Sequence, residues 1–344
     1  MVFGIDIFFY FLANYIMSDM SVLSLVKINE NCEIKKVLHV ESVYAILLYL
    51  IVNKKLDDTL ILTSDNFPHE LSDRIPNIIT YNKLARPNRF DIFLSSLFGL
   101  KPKYFKEISV NLNLFSQCTL YGHDHLPLSL IFRKRDMFLI EDGLSNYVLR
   151  PGIYNKIKAH LNILPYGYRK KVKKIYLTGI MDLPFPLKEK IEVLDIKKGV
   201  KDNIEYINKL FPPSWEIIKG ADIFITQPLE DMGISEHDKI SIYKELITKR
   251  TNECRPVYIK PHPRETTDYK DVFSSYDNIY VLDGKIPVEV YVLISEEIES
   301  VTTLFSTSAY TIKRICPNTI VKFIGTEWNK TLKDKFGIYK SETF

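Results

Sequence analysis

Three short segments of the chain concentrate side chains that can move a proton or hold an anion. Glu141-Asp142-Gly143 sets two neighbouring carboxylates ahead of a glycine. A carboxylate on such a turn becomes a general base when burial or a neighbouring group tunes its pKa. The glycine opens backbone conformations closed to other residues, although Asp-Gly is equally the composition of a plain polar turn. Lys260-Pro261-His262-Pro263-Arg264 brackets one imidazole with two prolines and two cations. The prolines restrict the backbone, and a fixed histidine among cations suits a phosphate leaving group, which needs charge stabilisation and a proton. The alternative is a rigid loop with a surface histidine. Ser306-Thr307-Ser308 precedes helical spacing over Ala309 to Arg314. Hydroxyls there cap the free N–H groups of a helix start, and that end of a helix attracts phosphate.

Secondary candidates follow the same logic. Gln227 ends the apolar run Ile223 to Thr226 and could meet a nucleotide, and Glu289 could accept hydrogen bonds from ribose hydroxyls. His123 and His125 flank Asp124, which invites a metal, but the sequence identifies no third ligand and we expect none to be bound. The chain holds no P-loop, G-x-S-x-G, H-E-x-x-H or G-x-G-x-x-G. This argues against a nucleotide hydrolase, an α/β-hydrolase, a zinc protease and an ordinary dehydrogenase.

The elements that must carry these segments are short apolar runs alternating with amphipathic stretches. Lys36 to Val40 reads as a buried strand, Ser42 to Lys55 as the helix after it, and Thr59 to Thr63 as the next strand, closed by Ser64-Asp65-Asn66. Strand, helix, strand favours a parallel sheet. Phe105 to Leu114, Cys118 to Tyr121 and Met137 to Ile140 continue the alternation. The pattern restarts with strands at 174–178, 191–194, 223–226, 257–259, 279–282 and 301–305, and a helix over 238–249. With 344 residues, too many for one comfortable core, two Rossmann-like α/β domains facing across a cleft are expected. The boundary is expected within 152–174. This gives a first domain over 1–160, a second over 161–330 and a tail over 331–344. All three segments follow strand-like runs, where open parallel sheets bind ligands.

Apolar residues make up 46% of the chain and charged residues 26%, a globular balance. Cys32, Cys118, Cys254 and Cys316 are widely spaced, which excludes a disulfide framework and fits reduced thiols in the cytoplasm. The apolar stretch Val2 to Met17 contains Asp6 and lacks a basic leader and a cleavage site. It reads as a buried element or interfacial anchor, too short to span a bilayer. The net charge of +4 conceals an asymmetry: residues 150–201 carry thirteen Lys or Arg against four Asp or Glu. Densest is Arg169-Lys170-Lys171-Val172-Lys173-Lys174, which suits an anionic membrane surface or glycolipid or, alternatively, is a solvated helix face. No nucleic-acid-binding motif accompanies it, so nucleic acid is not an expected partner.

The ordered set Glu141-Asp142-Gly143, His262-Pro263 and Ser306-Thr307-Ser308 resembles the bacterial sialyltransferases, which carry a D/E-D-G motif in the N-terminal domain and H-P and Ser/Thr motifs in the C-terminal one. Leu144-Ser145-Asn146-Tyr147 and Thr226-Gln227-Pro228-Leu229 add to the likeness, which runs from about Lys35 to Phe323 and is nearest to the lipooligosaccharide and capsule enzymes. The resemblance implies a GT-B fold, CMP-sialic acid as donor, an oligosaccharide or glycolipid acceptor, and an inverting transfer that needs no metal or other cofactor. It also allows a homodimer, while the cysteines point to the cytoplasm and the basic segment 150–201 to peripheral association with the inner face of the membrane. Asp142 would be the general base, His262 would stabilise or protonate the departing phosphate, Ser306 and Thr307 would bind it, and Glu289 would hold the ribose. Glu141, Gly143, Gln227, Lys260, Pro263 and Ser308 complete the expected substrate-binding set. The competing readings are a fold-related transferase or epimerase using another sugar nucleotide, and a non-catalytic glycan- or membrane-binding protein. The sialyl reading requires Asp142 and His262 to face each other across one groove.

Overall fold

The computed structural model describes residues 23–29, 33–82, 117–132, 134–213, 217, 219–251, 255–295 and 298–343. The segments Val2 to Met17 and Phe105 to Leu114 lie outside the described residues, as do Cys32 and Cys254. In the first half, β1 (Leu23–Lys27), β2 (Lys36–His39), α1 (Val43–Asn53), β3 (Thr59–Ser64), α2 (His69–Arg74) and β4 (Ile78–Tyr81) are followed by β5 (Thr119–Gly122) and β6 (Met137–Ile140). Then come α3 (Ile153–His160), β7 (Val172–Leu177) and β8 (Ile191–Val193). Two short helices, α4 (Ile196–Lys201) and α5 (Ile204–Leu210), lead to the second half. That half comprises β9 (Asp222–Ile225), α6 (Glu236–Thr251), β10 (Val257–Lys260), α7 (Tyr269–Val272), β11 (Ile279–Val281), α8 (Val288–Ser295), β12 (Ser300–Thr303), α9 (Ser308–Ile315), β13 (Ile320–Phe323), α10 (Lys330–Phe336) and β14 (Glu342–Thr343).

The strands form two sheets, ordered β1-β4-β3-β2-β5-β6-β7-β8 and β11-β10-β9-β12-β13-β14. All pairs are parallel except β1 with β4 and β13 with β14, at the edges. In each sheet the chain winds outward one way and then the other, reversing between β2 and β5 and between β9 and β12. That is doubly wound Rossmann topology, and its reversal points are where such sheets bind ligands. Two Rossmann-like domains facing across a cleft, the GT-B arrangement, is the architecture expected from the sequence.

Helix α1 shows why the first domain closes. Its sequence VYAILLYLIVN is apolar on every face, and Val43 and the seven residues from Ala45 to Ile51 are buried, as a helix without a polar side must be. Ser42 caps it, the hydroxyl accepting from the Ala45 N–H at 3.2 Å. One face covers the first sheet, and the other meets α4, where the Ile51 side chain fills the space a Cβ on Gly199 would occupy. Truncating Leu47 in this packing would cost about 2–5 kcal/mol.

Two expectations are corrected. The domain boundary does not fall within 152–174, because β7 pairs parallel to β6, with a register shift between Met137 and Phe138, and β8 pairs parallel to β7, so both belong to the first sheet. The crossing therefore comes after Val193, through α4 and α5. These helices stay tied to α1, with the Asn203 side chain donating to the carbonyls of Leu50 and Lys54. Nor is 331–344 a tail: Leu332 of α10 is fully buried, and β14 closes the edge of the second sheet against β13.

Candidate functional site

A cavity of about 450 Å³ lies between the carboxyl ends of the two sheets. The first domain lines it with Glu41 and Ser42 after β2, His125 after β5 and Asp142 after β6. The second contributes Gln227 after β9, Lys260, Pro261, His262 and Pro263 at the end of β10, Glu289 at the start of α8, and Ser306, Thr307 and Ser308 before α9. Parallel strands send their carboxyl-end loops to one side, so two facing sheets deliver both sets to one space. Asp142 and His262 thus line the same cavity from opposite domains, as the sialyl reading requires.

Asp142 is held from both ends. Its backbone N–H donates to Asn146 Oδ1 at 2.8 Å. Its carboxylate, 30% exposed, lies 3.1 Å from His125 Nε2 and 3.6 Å from His123 Nε2. Burial pushes the Asp142 pKa up, but His123, His125 and the Ser42 hydroxyl outweigh it and hold the group below the usual aspartate range. It is therefore ionised at neutral pH and able to accept a proton. The His125 ring is stacked on Tyr166 at 4.9 Å, and the Arg150 guanidinium covers the Tyr166 ring at 4.0 Å. Tyr166 sits at φ 63°, fixed by its N–H donating to Asp124 Oδ1 at 2.6 Å.

His123, His125 and Asp142 bring ligand atoms within 4.8 Å of one another. The third group that the sequence did not supply for the His123–His125 pair is thus Asp142, brought over from the neighbouring strand β6. Among the described residues, these three could hold a divalent cation, with nitrogen and carboxylate donors of the type zinc accepts. Burial keeps the His123 pKa below the usual histidine range, partly opposed by Asp142.

Glu141 does not line the cavity, contrary to the expectation of a substrate-binding role. It is completely buried, accepting from Tyr147 Oη at 2.6 Å, the Thr178 N–H at 2.6 Å and Thr178 Oγ1 at 2.9 Å. Adjacent residues leave a strand on opposite faces, so presenting Asp142 to the cleft turns Glu141 inward. There it joins β6 to the residue after β7. Gly143 has φ 89° and lies opposite Thr307 of the other domain, where an added Cβ would come 3.6 Å from the Thr307 hydroxyl. It shapes the turn and the close approach of the domains.

On the opposite wall, the His262 backbone N–H donates to Glu265 Oε2 at 2.7 Å, and Tyr269 Oη donates to Glu265 Oε1 at 2.8 Å. The Arg264 N–H donates to His262 Nδ1 at 3.2 Å. With Nδ1 accepting, the neutral ring carries its proton on Nε2. Burial, Arg264 and Lys260 push the His262 pKa down to about 3. Lys260 itself is buried. Its ammonium donates to the carbonyls of Pro261 at 2.8 Å and Gly284 at 2.9 Å, so it braces the histidine loop from behind. Burial lowers its pKa to about 8. Glu289 is 2% exposed, its Oε1 has no hydrogen-bond partner, and burial raises its pKa to about 7. A buried carboxylate oxygen left unpaired in a cavity wall is open to a donor from the cavity.

Gln227 and the serine-rich segment meet at the reversal point of the second sheet, where Gln227 Oε1 accepts from the Phe305 N–H at 3.2 Å. Ser306 Oγ accepts from the Ser308 N–H at 3.4 Å, while the Thr307 hydroxyl makes no capping bond. The domains also touch beside the cavity, through Tyr44 Oη and Thr311 Oγ1 at 3.5 Å and through a Lys285–Glu70 ion pair.

The basic run 169–174, which the sequence offers as a lipid-facing patch or else a solvated helix face, lies partly in a strand with most of its charge engaged. Val172–Leu177 is strand β7, Arg169 is buried with its guanidinium donating to the Ser129 carbonyl at 3.2 Å, Lys171 and Lys173 pair with Asp136, and Lys174 pairs with Glu192. No helix among the described residues is long and apolar enough to cross a membrane.

The chain resembles proteins of known sequence and structure. A protein of Haemophilus influenzae described as uncharacterized is 34% identical over 258 residues, covering 72% of this chain and 81% of that one. An α/β-galactoside α-2,3-sialyltransferase of Photobacterium phosphoreum aligns at 14% identity and a TM-score of 0.44, covering 88% of this chain and 94% of its own. The GT-B domain of a Photobacterium damselae sialyltransferase aligns at 15% and 0.49, covering 81% and 89%. A UDP-GlcNAc 2-epimerase of Neisseria meningitidis aligns at 14% and 0.42, covering 80% and 79%. Such distant superpositions do not choose between a transferase and an epimerase. The sequence match does: the model of glycosyltransferase family 52 takes in residues 71–327, with every cavity segment from β5 onward. The chain is therefore a glycosyltransferase and belongs to glycosyltransferase family 52.

Proposed function

We propose that this glycosyltransferase moves sialic acid from CMP-sialic acid to a hydroxyl of a cell-surface glycan of the lipooligosaccharide or capsule type, with inversion and without a metal. The observation that carries the reading is the pairing of an ionised Asp142 and a neutral His262 on opposite walls of one interdomain cavity. A sialyl donor reacts at a tertiary anomeric carbon beside a carboxylate, so its transition state has oxocarbenium character. Such a reaction needs a base on one face and leaving-group stabilisation on the other.

Asp142 takes the proton of the acceptor hydroxyl as that oxygen bonds to the anomeric carbon. The bond from that carbon to the phosphate oxygen breaks on the opposite face, which inverts the centre, and CMP leaves. His262 Nε2–H donates to the departing phosphate, aided by the hydroxyls of Ser306, Thr307 and Ser308 at the start of α9. Glu289 accepts from the ribose hydroxyls, with Gln227 beside it. Lys260 and Pro263 hold the histidine loop in place, and Gly143 lets the domains close over the reactants. The acceptor enters along His125 and Ser42.

The test is incubation of the purified chain with CMP-sialic acid and a panel of galactosides and sialosides, read by mass spectrometry. A mass gain of one sialyl residue is expected. Thermal stabilisation by UDP but not by CMP would discard the sialyl donor.

A further inference from the structure

The sequence points to the basic run 169–174 as a lipid-facing surface, but the structure engages most of that charge in ion pairs or burial. A different face of the first domain has the character of a membrane-binding surface. Helix α3 has no buried residue, although half its length is apolar or aromatic. Ile153 is 76% exposed, Tyr154 66% and Ile157 53%, and their neighbours along the chain, Val148, Leu149 and Leu161, are each about half exposed.

At about 100° per residue, Ile153, Tyr154, Ile157 and Leu161 fall on one arc of roughly a quarter-turn. Lys158 borders that arc on one side, and Lys156 and His160 border it on the other. The Lys158 ammonium lies 4.1 Å from the centre of the Tyr154 ring, at the edge of the apolar stripe. An apolar stripe flanked by cations is the pattern of a helix lying in the plane of a lipid interface. The helix and its N-terminal flank have the matching charge: Arg150, Lys156 and Lys158 lie along them, and no Asp or Glu occurs between Asp142 and Asp182. A second copy of the chain docked there would meet like charge, whereas anionic headgroups complement it.

We infer that α3 and the flanking Val148-Leu149 pair dock on an anionic phospholipid surface and hold the cavity mouth against it. The patch is tied to the site at both ends. Val148 follows Asp142 by six residues. Beyond the helix, the chain reaches Tyr166, which stacks on the His125 that contacts Asp142. A sugar on a lipid anchored in that surface is presented to Asp142 without leaving the membrane. This last consequence rests on the proposed glycan acceptor; the docking itself does not.

The test is co-sedimentation of the full chain with phosphatidylcholine vesicles, with and without phosphatidylglycerol. Pelleting is expected with the anionic vesicles and falls as salt is raised. Ile153→Ser with Ile157→Ser, both exposed, should lower the partition coefficient about tenfold or more, and Lys156→Glu with Lys158→Glu should do the same. A chain that stays in the supernatant with anionic vesicles, or pelleting indifferent to both double variants, would overturn the inference. So would a dimer that Ile153→Ser with Ile157→Ser converts to monomer while pelleting persists, because the patch would then be an interface between copies. Vesicle binding without sialyl transfer would sink the proposed function and leave the docking surface standing; transfer to a soluble galactoside without vesicle binding would do the reverse.

Discussion

Replacing His262 by alanine separates two ways in which an imidazole can assist a leaving phosphate. With its pKa at about 3, the resting ring is protonated in only about one molecule in ten thousand or fewer at pH 7.5, and reaching the imidazolium costs about 6 kcal/mol at 1.36 kcal/mol per unit. Transfer from a pre-formed imidazolium would forfeit most of its own benefit. The Arg264 N–H on Nδ1 leaves the neutral ring donating from Nε2, so the histidine acts as a fixed hydrogen-bond donor to developing negative charge. Losing one such donor costs about 2.7–4 kcal/mol, or 10²–10³ in kcat. His262→Ala should therefore lower kcat about 10²–10³-fold, as measured by release of CMP in the first turnovers. His262→Gln, which keeps an N–H, should recover part of the loss. The wild-type rate should not rise as the pH falls from 7 to 5, since no imidazolium is being formed to drive it. A loss below tenfold in His262→Ala would remove the histidine from the mechanism. A tenfold gain per unit of acidification would replace the neutral donor with a true acid.

Other expectations follow from the same geometry. Asp142→Asn should abolish transfer, read by mass spectrometry, while CMP still raises the melting temperature, because the carboxylate sits on the acceptor wall; unchanged turnover would strip it of its role. Chelators should leave transfer unaffected, whereas micromolar zinc should inhibit by engaging His123, His125 and Asp142, and His125→Ala should relieve the inhibition in a thermal-shift titration of zinc. Glu289 is held near 7 when folded but near 4.3 when unfolded, so its ionisation opposes folding above neutral pH. Glu289→Gln should accordingly stabilise the protein by up to about 3 kcal/mol at pH 8.5, with the gain fading to nothing below about pH 4.5; urea melts at both values check the sign. Glu141→Ala should destabilise by about 3 kcal/mol or more, because the Tyr147 and Thr178 donors that it satisfies stay buried; equal denaturation midpoints would remove it from the core of the loop.

Much of the fold is legible in the sequence because its signals are local. The wholly apolar helix from Val43, the runs ending at Thr63, Ile140, Thr226 and Ile259, and the chemistry placed just after them all stand in the chain order. Segments of mixed character were hidden. Ile78–Tyr81, Ile320–Phe323 and the helix carrying Glu289 are four to eight residues long, too short for periodicity to separate strand from helix. The basic run 169–174 points in the sequence to a lipid-facing patch or a solvated helix face for a related reason: Lys171, Lys173 and Lys174 obscure the start of an edge-proximal strand whose partners Asp136 and Glu192 are distant in sequence.

For the site, the sequence by itself determined the cast: a carboxylate before a glycine, a histidine between prolines, hydroxyls before a helix, each at a strand's end. Tertiary structure alone decided the assignments within it. Whether Glu141 or Asp142 enters the cleft depends on which face β6 turns to the core, and the answer buries Glu141 against Thr178, the residue after β7, a strand that the sequence alone places in the other domain. The partnership of Asp142 with His125 and the neutral state of His262 arise from through-space contacts between different strands and from burial. Desolvation and Coulomb interactions depend on distance in space, and separation along the chain does not report it.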